Sequence, residues 1–281
     1  MNSSSRPTAL VTGATRGIGL QTALVLARSG FDVAVSGRTV AEGEGTVAPR
    51  VSGADTELLA VPGSLESTAE QVRAAGAACL AVPMDLTDRA SVLAAAAQVH
   101  EAWGPLDLLV NNAFVHQPQQ SFDDLTEDSL RRSWEGNFLH QLALTRAVLA
   151  PMAERGRGTI VNMASSSATY DPPAGPAAGG WGLGYSSSKA AFGRIAGAVN
   201  AEYRERGIRA FNVDPGFVVT ESGRVRGGAE NIGETGGFPS ADPAASGTVI
   251  AWLATHAEAD RFLGKVIWAP KLAGDLTGEQ A

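Results

Sequence analysis

The sequence predicts a three-layer, doubly wound α/β fold, in which helices cover both faces of a seven-stranded parallel sheet. The first observation is a series of short apolar runs without polar alternation, which is typical of strands buried on both faces. The second is that longer segments with helical periodicity separate these runs, which indicates right-handed βαβ units. The third is composition. Of 281 residues, 44% are hydrophobic and 18% charged, which excludes wholesale disorder despite 33 glycines.

The elements follow one another without an internal repeat or a linker, so we expect a single domain over residues 1–281. The predicted strands are 8–12, 32–36, 80–83, 106–110, 158–163, 208–213 and 265–268. The predicted helices are 18–29, 67–75, 88–103, 126–154, 185–206 and 242–255.

Three segments rich in glycine, proline or small residues interrupt this pattern, at 43–63, 169–184 and 214–240. We expect the first to be a surface insertion. We expect the other two to line a substrate site, because long loops in compact domains are often functional. Their aromatic residues Trp181, Phe217 and Phe238 favour an uncharged, partly apolar substrate.

Charge and cysteine content exclude several classes of function. With 22 Lys and Arg against 29 Asp and Glu, the net charge of −7 argues against binding to nucleic acid or to an anionic membrane. No apolar stretch is long enough to span a bilayer, and residues 1–6 lack an apolar signal core, so we expect a cytoplasmic protein. The single cysteine, Cys79, lies in an apolar run and is predicted to be a buried thiol. We expect no metal.

A glycine-rich loop joins the first predicted strand to the first predicted helix. Its glycines, Gly13, Gly17 and Gly19, are spaced Gly-x-x-x-Gly-x-Gly. Glycine allows a tight turn and a close approach to a pyrophosphate, and the helix N-terminus offers free N–H groups to the phosphates. An ordinary glycine turn is the alternative, but the position between strand and helix favours a Rossmann-like dinucleotide site.

The end of the second strand indicates which dinucleotide is bound. NAD-binding proteins usually place an acidic residue there, bonded to the ribose 2′-hydroxyl. Here Gly37 and Arg38 occupy this place, and Arg16 lies in the glycine loop. Two guanidinium groups without a carboxylate suit a 2′-phosphate, so we predict NADP(H). The alternative is that both arginines are solvated surface charges.

A second group of residues suggests acid–base chemistry. Tyr185 and Lys189 lie four apart on one face of a predicted helix, and the ammonium would stabilise a phenolate. Ser165 follows the fifth strand, where its hydroxyl can bind a substrate oxygen; the next two serines are alternatives. Asn137 lies within a predicted helix, where asparagine is mildly unfavourable and suggests a specific polar role. Each residue alone could be an ordinary surface or packing residue.

Over about residues 8–268, these motifs in this order resemble the short-chain dehydrogenase/reductase family. The resemblance adds contacts from an Asp-Leu pair, an Asn-Asn-Ala segment and a Pro-Gly turn followed by a threonine. The cofactor-binding residues expected from the motifs and the resemblance are Gly13, Thr15, Arg16, Gly17, Ile18, Gly19, Arg38, Asp85, Leu86, Asn112, Ala113, Tyr185, Lys189, Pro215, Gly216, Val218 and Thr220.

The resemblance also implies a catalytic set of Asn137, Ser165, Tyr185 and Lys189. In that set Tyr185 exchanges a proton with the substrate oxygen, which Ser165 orients. Lys189 holds the nicotinamide ribose and lowers the tyrosine pKa, and Asn137 supports a water-linked proton path. The implied function is an NADP(H)-dependent oxidoreductase that interconverts a ketone or aldehyde and an alcohol. Its expected partners are a small-molecule substrate and further copies of the chain, as a homodimer or homotetramer.

Two alternatives stay open at this point. One is a reductase of 3-oxoacyl-carrier or quinone substrates, for which the only local hint of a basic docking patch is Arg224 and Arg226; both are expected to be solvated loop charges. The other is a catalytically silent NADP-binding regulator.

The chain also departs from the family pattern. Phe114 replaces the glycine of Asn-Asn-Ala-Gly, and Ser165 and Tyr185 stand 20 residues apart, further than is usual. The segment 265–272 departs from the usual closing sequence, which leaves the oligomer geometry open.

Overall fold

A computed structural model describes residues 6–50, 57–227 and 240–278. Its main sheet has seven parallel strands in the spatial order β5-β2-β1-β6-β7-β8-β9, and a separate antiparallel pair joins β3 to β4. The strands are β1 Thr8–Thr12, β2 Asp32–Gly37, β3 Thr46–Val47, β4 Leu59–Ala60, β5 Cys79–Pro83, β6 Leu108–Asn111, β7 Gly158–Met163, β8 Ile208–Asp214 and β9 Val266–Trp268. The predicted doubly wound fold is confirmed.

The helices lie on both faces of this sheet. They are α1 Gly17–Arg28, α2 Leu65–Ala74, α3 Arg89–Trp103, α4 Glu127–Trp134, α5 Gln141–Arg155, α6 Leu183–Tyr203, α7 Glu221–Val225, α8 Pro243–Thr255 and α9 Ala269–Thr277. Side-chain oxygens of Ser64, Asp88, Thr126 and Asp242 cap the N-termini of α2, α3, α4 and α8. Within the described ranges, none of the helices is long and apolar enough to cross a bilayer.

Alternate strand residues enter two separate apolar cores, which explains the unbroken apolar runs in the sequence. On β1, Val11 packs into the core formed with α1, α2, α8 and α9, whereas Leu10 packs into the core formed with α3, α5 and α6. Because helices cover both faces, a ligand can reach the sheet only at an edge. In open α/β sheets this is the edge at the carboxyl ends of the strands. There the strand order reverses between β1 and β6, which opens a crevice.

The single helix predicted over 126–154 is wrong at its centre. A π-helical turn, Glu135–His140, separates α4 from α5. Its Gly136 lies against the segment that follows β6, where a Cβ would come within 2.6 Å of Val115 Cγ2. The wider turn brings the neighbouring Asn137 into the same contact, and such turns occur often at functional sites. The short strands β3 and β4 and the helix α9 were also not predicted.

Candidate active site

A cavity of about 500 Å³ lies in this crevice, at the carboxyl ends of the parallel strands. Every residue predicted to bind the cofactor lines it, from the glycine loop to the Pro215–Gly216 turn. Of the predicted catalytic residues, Ser165, Tyr185 and Lys189 also line it, whereas Asn137 does not. The fold therefore brings predicted residues from seven separate sequence segments to one cavity.

The glycine loop forms one end of the cavity through its backbone. Gly13 has φ +64°, and a Cβ there would lie 2.8 Å from Ala113 Cα. At Gly19 a Cβ would lie 2.3 Å from the Gly13 carbonyl oxygen. The Asn112 amide donates to the carbonyl oxygens of Thr12 and Gly13, at 2.8 and 3.2 Å. These contacts hold the backbone close to the cavity, and the first turn of α1 opens there without a side-chain cap.

Two arginines occupy the corner next to the glycine loop. Arg16 donates from Nε to the Pro62 carbonyl at 2.7 Å and from Nη2 to the Gly63 carbonyl at 2.9 Å. Arg38 donates from Nη2 to the Thr46 carbonyl at 2.8 Å. Within the described residues, no carboxylate forms an ion pair with either guanidinium. Neutral carbonyls thus hold both guanidinium groups. Burial lowers the pKa of Arg16, the carboxylates of Glu221 and Glu42 oppose this shift, and the charge of Arg38 adds to it.

These carbonyls belong to the insertion 43–63, so the expectation of a plain surface loop is wrong. Residues 46–48 and Leu58 line the cavity. Gly45 lies between the Val61 carbonyl and the Arg16 guanidinium, where a Cβ would come within 2.8 Å of Nη2. The insertion folds back because β3 pairs with β4, and this pairing brings its carbonyls to Arg16 and Arg38. Residues 51–56 of the insertion lie outside the described ranges.

Tyr185 and Ser165 meet at the other end of the cavity. The Tyr185 hydroxyl lies 3.4 Å from Ser165 Oγ, which accepts a hydrogen bond from the Ser167 hydroxyl at 2.9 Å. Burial raises the pKa of Tyr185, and the hydrogen bond with Ser165 offsets this only in part. The phenol therefore carries its proton at neutral pH.

Lys189 follows Tyr185 by one turn of α6 and lines the same cavity. It donates to the Met163 carbonyl at 2.7 Å and lies 4.7 Å from the centroid of the Phe114 ring. Burial lowers the pKa of Lys189 to about 8, against the opposing charge of Asp214. The group is still mostly protonated at pH 7, so it can stabilise negative charge on the tyrosine oxygen.

Asn137 lies behind the cavity and lines a crevice of about 20 Å³. Its Oδ1 accepts from the Val115 N–H at 2.7 Å, and its Nδ2 donates to the Val115 carbonyl at 3.1 Å. Both ends of the amide are thus engaged by the chain that follows β6. In this structure the side chain positions that segment, and its participation in a proton path stays a prediction.

Phe114, at the position of the family's glycine, forms an aromatic wall beside the tyrosine. Its ring lies edge-to-face with the Tyr185 ring, with centroids 5.2 Å apart, and with the His116 ring, at 5.3 Å. His116 was not predicted as a site residue, yet it lines the same cavity.

Arg226 joins three loops beside this end of the cavity. It donates from Nε to the Ala48 carbonyl at 2.8 Å, from Nη2 to the carbonyls of Pro49 and Gln117 at 3.3 and 3.2 Å, and from Nη1 to His116 Nδ1 at 2.9 Å. The expectation of a solvated charge is therefore wrong for Arg226, whereas Arg224 is exposed as predicted. Since Ala48 lies 178 positions away, no local sequence signal could have revealed the contact.

The two predicted substrate loops contribute unequally. Phe217 and Ser222 of 214–240 line the main cavity, whereas Phe238 lies outside the described residues. From 169–184, Gly182 and Gly184 line only the small crevice, because the 3₁₀ turns at 166–168 and 176–178 carry much of this loop outward. In the departing C-terminal segment, Trp268 supports the Pro-Gly turn: a Cβ at Gly216 would lie 3.2 Å from its ring.

The sequence and the fold were compared with known proteins. A family model described as short chain dehydrogenase matches residues 7–62 and 51–230. Oxidoreductase UcpA of Salmonella typhimurium is 35% identical over 213 residues, which cover 76% of this chain and 70% of that protein. Short chain dehydrogenase mpl6 of Monascus purpureus is 32% identical over 212 residues, which cover 75% of this chain and 64% of that protein.

Solved structures share the whole architecture. An actinorhodin polyketide ketoreductase crystallised with NADPH superimposes with a TM-score of 0.75 at 26% identity, over 97% of this chain and 99% of that chain. A 3-oxoacyl-[acyl-carrier protein] reductase from Brucella melitensis gives a TM-score of 0.72 at 26% identity, over 97% of this chain and 98% of that chain.

Proposed function

The chain belongs to the short-chain dehydrogenase/reductase family, and from this premise we propose that it is an NADP(H)-dependent oxidoreductase interconverting a ketone or aldehyde and an alcohol. Tyr185 acts as its acid–base group. The observation that carries the proposal is the approach of the Tyr185 and Ser165 hydroxyls to 3.4 Å, in a cavity that Lys189 and the glycine loop also line.

The residues of the cavity fit NADP(H). At Gly13 and Gly19 a Cβ would collide with other parts of the protein, so only glycine allows the tight loop whose backbone N–H groups would face a pyrophosphate. Arg16 and Arg38 would hold the 2′-phosphate, because both line the cavity beside the glycine loop and donate to carbonyls rather than to carboxylates. Lys189 would bind the nicotinamide ribose. When bound, the cofactor supplies or accepts the hydride.

The protein supplies the proton and the orientation. In the reductive direction, the protonated Tyr185 hydroxyl gives its proton to the carbonyl oxygen, and Ser165 donates a hydrogen bond to the same oxygen. The Lys189 ammonium stabilises the phenolate that this leaves. Burial raises the pKa of Tyr185, so at neutral pH the phenol carries the proton that the reductive direction requires.

The other functional readings are weaker. A silent regulator would not need a tyrosine, a serine and a buried lysine assembled at one point of the cavity. The case for docking of an acidic carrier protein depended on a basic patch of Arg224 and Arg226. Four hydrogen bonds within the protein already engage Arg226, so only Arg224 remains for such a patch. We also propose a homodimer or homotetramer, supported by the exposed Val266 and Trp268 on the edge strand β9.

Replacing Tyr185 with phenylalanine tests the proposal. We expect kcat for carbonyl reduction to fall at least about 1000-fold, because the proton donor is lost. NADPH should still bind, as measured by its fluorescence. Tyr203→Phe on the same helix is the matched control and should turn over near the rate of the unmodified protein. Turnover by Tyr185→Phe at the rate of the control would remove Tyr185 from this role.

A further inference from the structure

His116 carries a polar group that this mechanism does not use. Its Nδ1 lies 2.9 Å from Nη1 of Arg226. A guanidinium has only N–H donors, so Nδ1 must accept this hydrogen bond and cannot carry a proton. The proton of the neutral ring therefore lies on Nε2, which makes Nε2 a hydrogen-bond donor.

The surroundings keep the imidazole neutral and hold its orientation. Desolvation and the positive charges of Arg226, Lys189 and Arg16 lower the pKa of His116. Because the side chain is exposed, the hydrogen bond from Arg226, which a protonated Nδ1 could not accept, is the stronger reason for a neutral ring. Arg226 is itself anchored by the carbonyls of Ala48 and Gln117, so the ring cannot turn without breaking its hydrogen bond. Across residues 6–50, 57–227 and 240–278, the structure shows no acceptor for the Nε2–H group.

His116 lies on the same wall of the cavity as Tyr185, with the Phe114 ring between them. The rings of His116 and Phe114 meet at an interplanar angle of 67°, and those of Phe114 and Tyr185 at 69°. All three residues line the cavity. A molecule whose carbonyl oxygen reaches Tyr185 can therefore run across the apolar Phe114 ring towards His116.

We propose that His116 determines substrate specificity, its Nε2–H binding a second acceptor oxygen of the substrate beyond a short apolar spacer that crosses Phe114. Arg226 is the positioning residue that holds the required tautomer. The proposal rests on the proposed function and narrows it. The substrate class is carbonyl compounds with a second carbonyl or ester oxygen, which the enzyme selects over simple ketones.

A matched pair of ligands tests this selection. In heptan-2-one, two methylene groups replace the ester group of ethyl 3-oxobutanoate, so the two molecules have the same chain length. Their Kd values are measured calorimetrically with NADPH present, in the Tyr185→Phe background, where turnover cannot interfere. We compare this background with the added substitutions His116→Leu, which removes the donor, and His116→Gln, whose Nε2 retains it.

His116→Leu should shift the ratio of the two Kd values about tenfold against the keto ester, the usual scale for one lost hydrogen bond. His116→Gln should restore most of that preference. An unchanged ratio in His116→Leu overturns the proposal, including the case in which only NADPH binding weakens and His116 serves the cofactor.

Turnover by the unmodified protein separates this inference from the proposed function. If neither compound is reduced while the Kd ratio still depends on His116, the proposed oxidoreductase activity on such carbonyls fails and the binding role stands. If both are reduced and the ratio does not depend on His116, the proposed activity stands and the specificity role fails.

Discussion

The two ends of the cavity are built in different ways. At the glycine-loop end, backbone atoms approach so closely that Gly19 has no space for even one methyl group. At the other end, side chains carried by separate loops form the wall, and Arg226 joins residues 48–49 to residues 116–117. The glycine-loop end therefore depends on backbone geometry, whereas the other end depends on long-range side-chain contacts that can change without disturbing the sheet.

The largest expected effect on NADPH binding comes from a substitution at the glycine-loop end. Gly19→Ala would place a Cβ 2.3 Å from the Gly13 carbonyl oxygen and 2.5 Å from the Asn112 amide nitrogen. Because the loop must then move away from the pyrophosphate position, we expect the Kd for NADPH to rise at least about 100-fold. Fluorescence titration measures this change.

Gly197→Ala is the matched control for Gly19→Ala. Gly197 lies within α6, and a Cβ there would meet only the flexible end of Arg194, at 3.6 Å. Alanine should stabilise this helix by about 0.5–1 kcal/mol and leave NADPH binding alone. Equal NADPH affinity in both variants would contradict the view that the glycine loop admits no side chain.

The glycine-loop end is also the part that the sequence predicts well. Each of its signals is local: a buried strand, a glycine spacing, or a polar residue at a strand end. At the other end, Ser165, Tyr185 and Lys189 were also predicted, because the carboxyl ends of the seven parallel strands meet at one edge and the family resemblance names these three residues together. The family resemblance supplied the remaining cofactor contacts, all of which line the cavity.

The loops that Arg226 joins at the other end of the cavity could not be predicted in the same way. The contact of Arg226 with Ala48 depends on two loops whose paths no periodicity specifies. The π-helical turn is a partial exception, since Gly136 interrupts a helical pattern and marks a close approach to another segment. The tautomer of His116 follows only from its partner Arg226, which no sequence pattern places beside it.

An intermediate effect, on the preference for NADPH over NADH, is expected where the insertion 43–63 meets the glycine loop. Arg38→Asp removes one of the two cations and places a carboxylate beside the proposed 2′-phosphate site. Since charge-assisted hydrogen bonds are lost, the preference for NADPH over NADH in kcat/KM should fall about 10- to 100-fold. Arg89→Asp, at the exposed start of α3, makes the same change of charge and should leave the preference as it is. A protein that prefers NADH before any substitution would refute the assignment of both arginines.

The smallest effect is expected from removing the hydrogen bonds of Arg226. It tests whether Arg226 holds residues 48–50 and 116–119 together. Arg226→Met removes four hydrogen bonds while keeping an unbranched chain. The backbone bond from the Gln119 N–H to the Arg50 carbonyl, 2.7 Å long, joins the same two loops. If Arg226 holds these loops together, that bond should open more often, and the Gln119 amide should exchange hydrogen about tenfold faster.

Arg224→Met is the control for the loss of a positive charge alone. Arg224 lies on α7, two residues before Arg226, and its side chain is exposed. This control should leave Gln119 exchange unchanged, whereas Arg226→Met should also raise the Kd for NADPH about threefold, since residues 46–48 line the cavity. Faster exchange without any change in NADPH affinity would mean that the loops close over the substrate alone. Equal exchange in both variants would mean that the hairpin β3–β4, rather than Arg226, holds the insertion in place.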